Sequence, residues 1–363
     1  MKIISLFSGC GGLDLGFEKQ GFEIVFSNDN YQNLWETYTK NHNLPIDGRS
    51  ITEIESSEIP DAEGIIGGPP CQSWSLAGAM GGIKDKRGKL FLEYIRVLSD
   101  KNPKFFVAEN VPGILSKTHL PDFLKIIKKF EELRYVVSYE NIKAKNYGVP
   151  QERDRVIIVG YRKDLNIKFS FPQPTHSKDG AKGTLKWVTL KDAIADLPKA
   201  IPALEKNHTN PDVNFPNHEY MNGSFSSIFM SRNRKKNWDQ QSYTIQAGGR
   251  HAPLHPDSSV MRKIDTDEWT FVDENPFFRR LTVRECARIQ TFPDDFVFFY
   301  ERIADGYKMV GNAVPVKLAE CIAKKIKNDF NTENKEEYLN QNREMINDID
   351  KKGSKTGTLM DFM

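Results

Sequence analysis

Over its first 160 residues the chain alternates short apolar runs with amphipathic stretches, and most of the apolar runs end in a Gly, Pro or polar cluster. Lys2–Phe7 predicts a first strand, Glu23–Ser27 a second and Gly64–Ile66 a short buried third. Phe105–Ala108 predicts a fourth strand and Val156–Val159 a later one. A helix is expected to follow the first turn through Phe17. Helical spacing of apolar residues predicts two more in Leu90–Leu98 and Phe123–Leu133. Strand–helix alternation of this kind folds as an α/β doubly wound sheet, because each crossover helix covers a sheet face. Sheets of this class bind ligands at the carboxyl ends of their strands, which is where the Gly, Pro and polar clusters fall.

From Phe171 the texture changes. Pro172, Pro174, Pro198, Pro202, Pro211 and Pro216 punctuate the chain, and strong periodicity disappears. The expected organisation is one large domain from 1–171 and 301–330, closed by a helix over Val314–Ile326. A smaller loop-rich domain spans 172–300, and a polar extension spans 331–363. The 363 residues suit this division, at roughly 100–200 residues per domain. No apolar run approaches the roughly 18 residues of a membrane helix. The Ile3–Leu6 run reads as a strand rather than a signal peptide. Cys10, Cys71, Cys286 and Cys321 are widely spaced with no C-x-x-C pair. A disulfide framework or metal site is therefore not expected, and a reducing cytoplasm is.

Four clusters carry chemistry. Phe7-Ser8-Gly9-Cys10-Gly11-Gly12 joins a strand to a helix, and its glycines let backbone approach a ligand closely. Its spacing is not that of a dinucleotide fingerprint, and an ordinary tight turn is the bland alternative. Gly67-Gly68-Pro69-Pro70-Cys71-Gln72-Ser73-Trp74 sets a cysteine on a stiff loop at a strand end, where a thiolate is exposed and aimed as a nucleophile. A zinc deaminase would need P-C-x-x-C, and Trp74 occupies the second cysteine's position. Glu109-Asn110-Val111 ends the fourth strand with a carboxyl group able to donate a proton or accept a hydrogen bond. In Gln151-Glu152-Arg153-Asp154-Arg155, two arginines alternate on one face. They suit a cytosine or a phosphate, or else form an exposed charged edge.

In this order, and with Arg280–Cys286, Gln290–Pro293 and Gly306–Pro315 following, the blocks resemble the C5-cytosine DNA methyltransferase family over roughly residues 1–328. The resemblance implies a Rossmann-like methyltransferase domain with a smaller, loop-rich target-recognition domain. It implies that Cys71 adds to cytosine C6, that Glu109 acts at N3, and that Arg153 and Arg155 support the base. The cytosine must be flipped out of the duplex to reach Cys71. The Ser73–Leu90 stretch, with Gly78, Gly81, Gly82 and Gly88, has the composition of a lid over it. The implied cofactor is S-adenosylmethionine, consumed as methyl donor, with no metal. Its expected contacts are Phe7, Gly9, Gly11, Asp29, Asn30, Ser50, Ile51, Pro69, Asn312 and Val314. Three of these depart from the family pattern. Asp29 stands for a Glu, Asn30 for a stacking aromatic and Ser50 for an Asp, so cofactor binding is expected to be intact but weaker.

The implied partner is double-stranded DNA. Net charge is only +2, but residues 225–252 hold five basic side chains against Asp239 alone, a local footprint for a polyanion. Phe215–Arg250 resembles the variable region of bacterial type II modification enzymes that recognise GGCC. Arg232, Arg234 and Arg250 are the expected base readers, with Lys235 and Lys236 on phosphates. Ile228 is a wedge for the vacated stack or else a core residue. The expected protein is a cytoplasmic monomer of a restriction–modification system, with a cognate endonuclease as partner without a stable complex. The competing readings are an RNA cytosine methyltransferase, a non-catalytic DNA-binding relative and an unrelated cysteine hydrolase. The last would want a histidine beside its nucleophile, and the seven histidines fall outside the main blocks.

Overall fold

A computed structural model describes residues 1–70, 88–181 and 183–331. Cys71, most of the expected lid and the extension from 332 lie outside the described residues. A six-stranded sheet has the order β2-β1-β3-β4-β7-β5. Its strands are β1 (Lys2–Leu6), β2 (Glu23–Asn28), β3 (Gly64–Gly67), β4 (Phe105–Asn110), β5 (Tyr135–Lys143) and β7 (Asp154–Arg162). A two-residue strand, β6 (Gln151–Glu152), precedes β7 and pairs with Ser242–Tyr243. β1 to β4 run parallel, and β7 runs antiparallel to both β4 and β5. The amino end of β7 therefore meets the carboxyl ends of β1 to β4 at one sheet edge.

The central strands read as unbroken apolar runs because both faces are covered. Ile3, Phe105, Val107 and Val159 pack on one side with α1 (Gly12–Glu18) and α8 (Val316–Phe330). Ile4, Ile65, Phe106 and Ile158 pack on the other with α3 (Gly88–Lys101) and α4 (Leu120–Glu132). Gly16 permits the close crossing of α1 over α8, since a Cβ there would lie 2.4 Å from that of Ala319. The expected doubly wound α/β fold is the fold observed. β5 and α2 (Trp35–His42) were not legible in the sequence. β5 is a half-exposed edge strand, Tyr-Val-Val-Ser-Tyr-Glu-Asn-Ile-Lys, with exposed residues in its second half.

Asp14 on α1 is fully buried and accepts hydrogen bonds from Ser5 Oγ at 2.7 Å and Tyr38 Oη at 2.5 Å. Burial raises its carboxyl from 3.8 to about 6, against the partly offsetting His42 charge and the two hydrogen bonds. The folded chain thus keeps this proton to higher pH than the unfolded chain. Its stability falls as pH climbs from about 4 to about 6, by up to about 3 kcal/mol for this group alone. Melting curves across that window are expected to show a steeper loss for the parent than for Asp14→Asn. Parallel curves would remove Asp14 as the cause.

The 172–300 stretch does not keep one core to itself. α5 (Leu190–Ile194) and α6 (Val283–Ile289) share a cluster with Cys10, Tyr38 and α7 (Ile303–Asn312). Each of these two helices opens on a capping box, Thr189 with Asp192 and Thr282 with Glu285. A separate small cluster of Phe229, Leu254 and Met261 lies under the hairpin Met261–Asp265/Glu268–Phe271. No helix among the described residues is long and apolar enough to cross a membrane.

Candidate active site

The strand ends surround a cavity of about 460 Å³. One wall is the turn after β1. Phe7 and Gly9 take left-handed backbone, with φ of 55° and 58°, which turns the chain sharply under the cavity. Gly11 lies behind this wall and does not line the cavity as expected. It sits at φ 87°, and a Cβ on it would lie 1.9 Å from the His42 ring. Buried His42 receives opposing influences. Burial lowers its pKa, but the Glu18 hydrogen bond and the Asp14 and Glu18 charges prevail and raise it.

Asp29 lies at the end of β2. Its Oδ2 accepts from the Gly9 N–H at 3.0 Å and its Oδ1 from the Tyr31 N–H at 2.9 Å. Burial raises its pKa against these two bonds and the Lys308 charge. Asn30, Ser50 and Ile51 line the cavity beside it. Ser50 caps the turn Ile51–Glu53 through its hydroxyl and also receives Glu53 on its own N–H. An aspartate would cap similarly, so the departure at 50 removes charge but keeps the turn.

Two residues of this wall were not singled out in the sequence. The Tyr31 ring lines the cavity, and its hydroxyl donates to Asp305 Oδ1 at 2.6 Å. Lys308 Nζ lies over that ring, 3.4 Å from its centroid, a cation–π contact. Among the described residues no carboxylate comes within 4.0 Å of this ammonium, although it lines the cavity. The signal for Tyr31 was an aromatic one position after the missing one at 30. Lys308 was hidden inside Gly306–Pro315, where only Asn312 and Val314 were weighed.

The cavity suits S-adenosylmethionine in three ways. The second lone pairs of the Asp29 oxygens can accept ribose hydroxyls. Leu90 and Ile51 offer apolar surface for adenine. The Lys308 ammonium matches an amino-acid carboxylate. Asn312, Val314 and Pro69 also line the cavity.

At the far rim Glu109 and Arg155 meet. Glu109 Oε1 is 2.6 Å from Arg155 Nε, and both side chains are about nine-tenths buried. The register forces the meeting, since Asn110 of β4 pairs with Val156 of β7. Asn110, named in its motif without a role, donates to the Pro69 carbonyl at 3.3 Å. That bond ties the end of β4 to the Pro69 carbonyl.

Arg153 is brought elsewhere. It is fully buried, does not line the cavity and bonds three backbone carbonyls. The reason is a break in the strand. Arg153 lies between β6 and β7, outside the regular pleat that begins at Asp154, so it does not share the face of Arg155 and turns instead to the Ile245 carbonyl. Arg234 is likewise not an exposed reader. It is buried, donates to the Phe229 and Ile228 carbonyls at 2.8 Å each, and lies over the Phe229 ring. It stiffens the turn that holds Ile228, which is 66% exposed rather than core. Arg232 and Arg250 are exposed. No group of His, Cys, Asp and Glu among the described residues has metal-holding geometry.

The C-5 cytosine-specific DNA methylase family profile matches residues 1–328. The chain is 58% identical over 332 residues to the type II methyltransferase M.MthTI of Methanothermobacter thermautotrophicus, covering 91% of this chain and 98% of that protein. It is 54% identical over 331 residues to M.FnuDI of Fusobacterium nucleatum, covering 90% and 94%. Among solved structures, the Entamoeba histolytica methyltransferase EhMeth shares the fold, with TM-score 0.66 and 16% identity over 91% of this chain and 99% of that one. Strand order, strand-end cavity and sequence agree, and the chain belongs to the C-5 cytosine-specific DNA methylase family, as an enzyme of the type II modification class.

Proposed function

We propose that the protein transfers a methyl group from S-adenosylmethionine to C5 of a flipped-out cytosine within GGCC, protecting host DNA in a restriction–modification system. The observation that carries this reading is the Glu109–Arg155 pair at the rim of the cavity, next to the Pro69–Pro70 step leading to Cys71. Cytosine C5 is a poor nucleophile. The Cys71 thiolate adds to C6, the C5–C6 double bond opens, and the negative charge pushed toward N3 is taken up by a proton that the Glu109 carboxyl group donates. Arg155 holds the Glu109 carboxylate and polarises the base. C5 then bonds to the methyl carbon as the carbon–sulfur bond of the donor breaks. Loss of the C5 proton to a base restores the double bond and expels the Cys71 thiolate. The cofactor, when bound, supplies the electrophilic methyl group. Asp29 and Lys308 orient it, and the apolar walls exclude water.

Target choice falls to the 225–252 stretch as a target-recognition region, supported by the resemblance of Phe215–Arg250 to GGCC-reading enzymes and by exposed Arg232 and Arg250. The deciding experiment is transfer of labelled methyl to matched duplexes with GGCC, a one-base variant or no site, alongside RNA of the same sequence. Incorporation into GGCC duplex alone is expected. Incorporation into the one-base variant discards the target, and incorporation into RNA alone discards DNA as substrate.

Two substitutions probe the parts separately. Arg232→Ala is expected to cost roughly 1–3 kcal/mol on GGCC duplex and to relax one position of the site. Equal weakening on all duplexes would make Arg232 a phosphate contact. Lys308→Ala is expected to weaken S-adenosylmethionine binding roughly tenfold in calorimetry, as loss of one charge-assisted contact. An unchanged affinity would remove Lys308 from cofactor binding.

A further inference from the structure

Arg153, Gln151 and Gln290 form a buried polar hub between the cavity and the 225–252 stretch. Arg153 Nη1 donates to the Ile245 carbonyl at 2.9 Å, and Nη2 donates to those of Gly311 at 2.9 Å and Ala313 at 3.0 Å. Gly311 and Ala313 flank Asn312, and all three line the cavity. Gln151 Oε1 accepts the Ile245 N–H at 2.8 Å, so both polar groups of that peptide position are held from β6 and its neighbour. Gln151 Nε2 donates to Gln290 Oε1 at 2.9 Å. Gln290 Nε2 in turn donates to the Val310 and Ala313 carbonyls at 2.8 and 3.2 Å. The segments touch directly as well. A Cβ on Gly311 would lie 2.3 Å from the Gln246 carbonyl.

The hub thus joins the cavity wall at 311–313 to the loop that leads from Ile245 to the 3-10 turn holding Arg250, and Arg155 follows two residues after Arg153. A cation so deeply buried is costly unless its hydrogen bonds are satisfied. Three carbonyls on two separate segments take up Nη1 and Nη2, while the buried Nε has no partner among the described residues, so the guanidinium keeps its bonds only while those segments hold one relative placement. Resting on the reading that the cavity holds S-adenosylmethionine and that 225–252 faces DNA, we propose that Arg153 is a positioning residue. Through its guanidinium, cofactor occupancy and duplex recognition are coupled. Filling the cavity fixes Gly311–Ala313, and the hub passes that placement to Ile245 and the arginine that follows.

Coupling is a ratio of affinities and is reciprocal. The test measures binding of a labelled GGCC duplex by anisotropy, with and without saturating S-adenosylhomocysteine. The proteins compared are the full-length parent, Arg153→Lys and Gln290→Met, with thermal melting to establish folding. Lysine keeps the charge but cannot span three carbonyls, and methionine keeps volume without the amide. The parent is expected to gain at least about fivefold in duplex affinity, Arg153→Lys less than about twofold, and Gln290→Met an intermediate amount. S-adenosylhomocysteine affinity should shift by the same factors when duplex is present. A merely structural role lowers both affinities together and leaves the ratio alone. Parental ratios in the folded variants overturn the proposal, as does a parent ratio of one. If the parent methylates GGCC duplex and the ratios do not differ, only the coupling fails. If it methylates nothing, the reading of the site fails first.

Discussion

Cys71→Ser is expected to lower methyl transfer to GGCC duplex by on the order of a thousandfold or more, with duplex affinity retained. The magnitude follows from chemistry. A thiol gives appreciable thiolate near neutral pH, whereas a serine hydroxyl, a far weaker acid, stays protonated. Without addition at C6, C5 remains too weak a nucleophile to take the methyl group. Flipping the base is a separate cost met by binding, so affinity survives the substitution. A duplex with 5-fluorocytosine at the target sharpens the test. The parent adds Cys71 to C6 and methylates C5, but fluorine cannot leave as the proton does, so protein and DNA stay covalently joined. Denaturing electrophoresis should show that adduct in the parent and none in Cys71→Ser. An adduct in the variant, or unaltered transfer, would move the nucleophile to another residue.

Legibility in the sequence followed burial and locality. β1, β3, β4 and β7 were read because strands covered on both faces carry uninterrupted apolar residues, and turn clusters mark their ends. β5 escaped because an edge strand with a half-solvated face lacks that signal. Glu109 and Arg155 were named separately. That they meet is a consequence of β7 running antiparallel beside β4, which no local pattern encodes. Arg153 and Arg234 show the converse limit. Arginines in polar segments resemble exposed cations, and only the tertiary structure reveals that backbone carbonyls 92 and 158 residues away for Arg153, and 5 and 6 away for Arg234, take up their donors. Lys308 and Tyr31 show a third limit. Their stacking joins α7 to the loop after β2, so neither position is informative until the other is in place.

Glu109→Gln is expected to lower kcat by roughly 10²–10⁴-fold while moving the KM for duplex far less. The glutamine retains the shape and can still offer a hydrogen bond, but it cannot deliver a proton or carry the charge that balances Arg155. The ion pair is short and largely shielded from water, so removing the carboxylate also takes the opposite charge from a partly buried guanidinium, which keeps its bond to the Asp154 carbonyl. The substitution therefore acts on the base and on the residue that polarises it. Because the two side chains work as one unit, Arg155→Ala combined with Glu109→Gln should lose little more than the worse single variant. Independent roles predict instead that the two losses multiply. Single-turnover transfer on GGCC duplex at saturating S-adenosylmethionine separates the outcomes, since it isolates chemistry from product release. Unchanged single-turnover rates in Glu109→Gln would remove Glu109 from the reaction and leave the pair a purely structural link between β4 and β7.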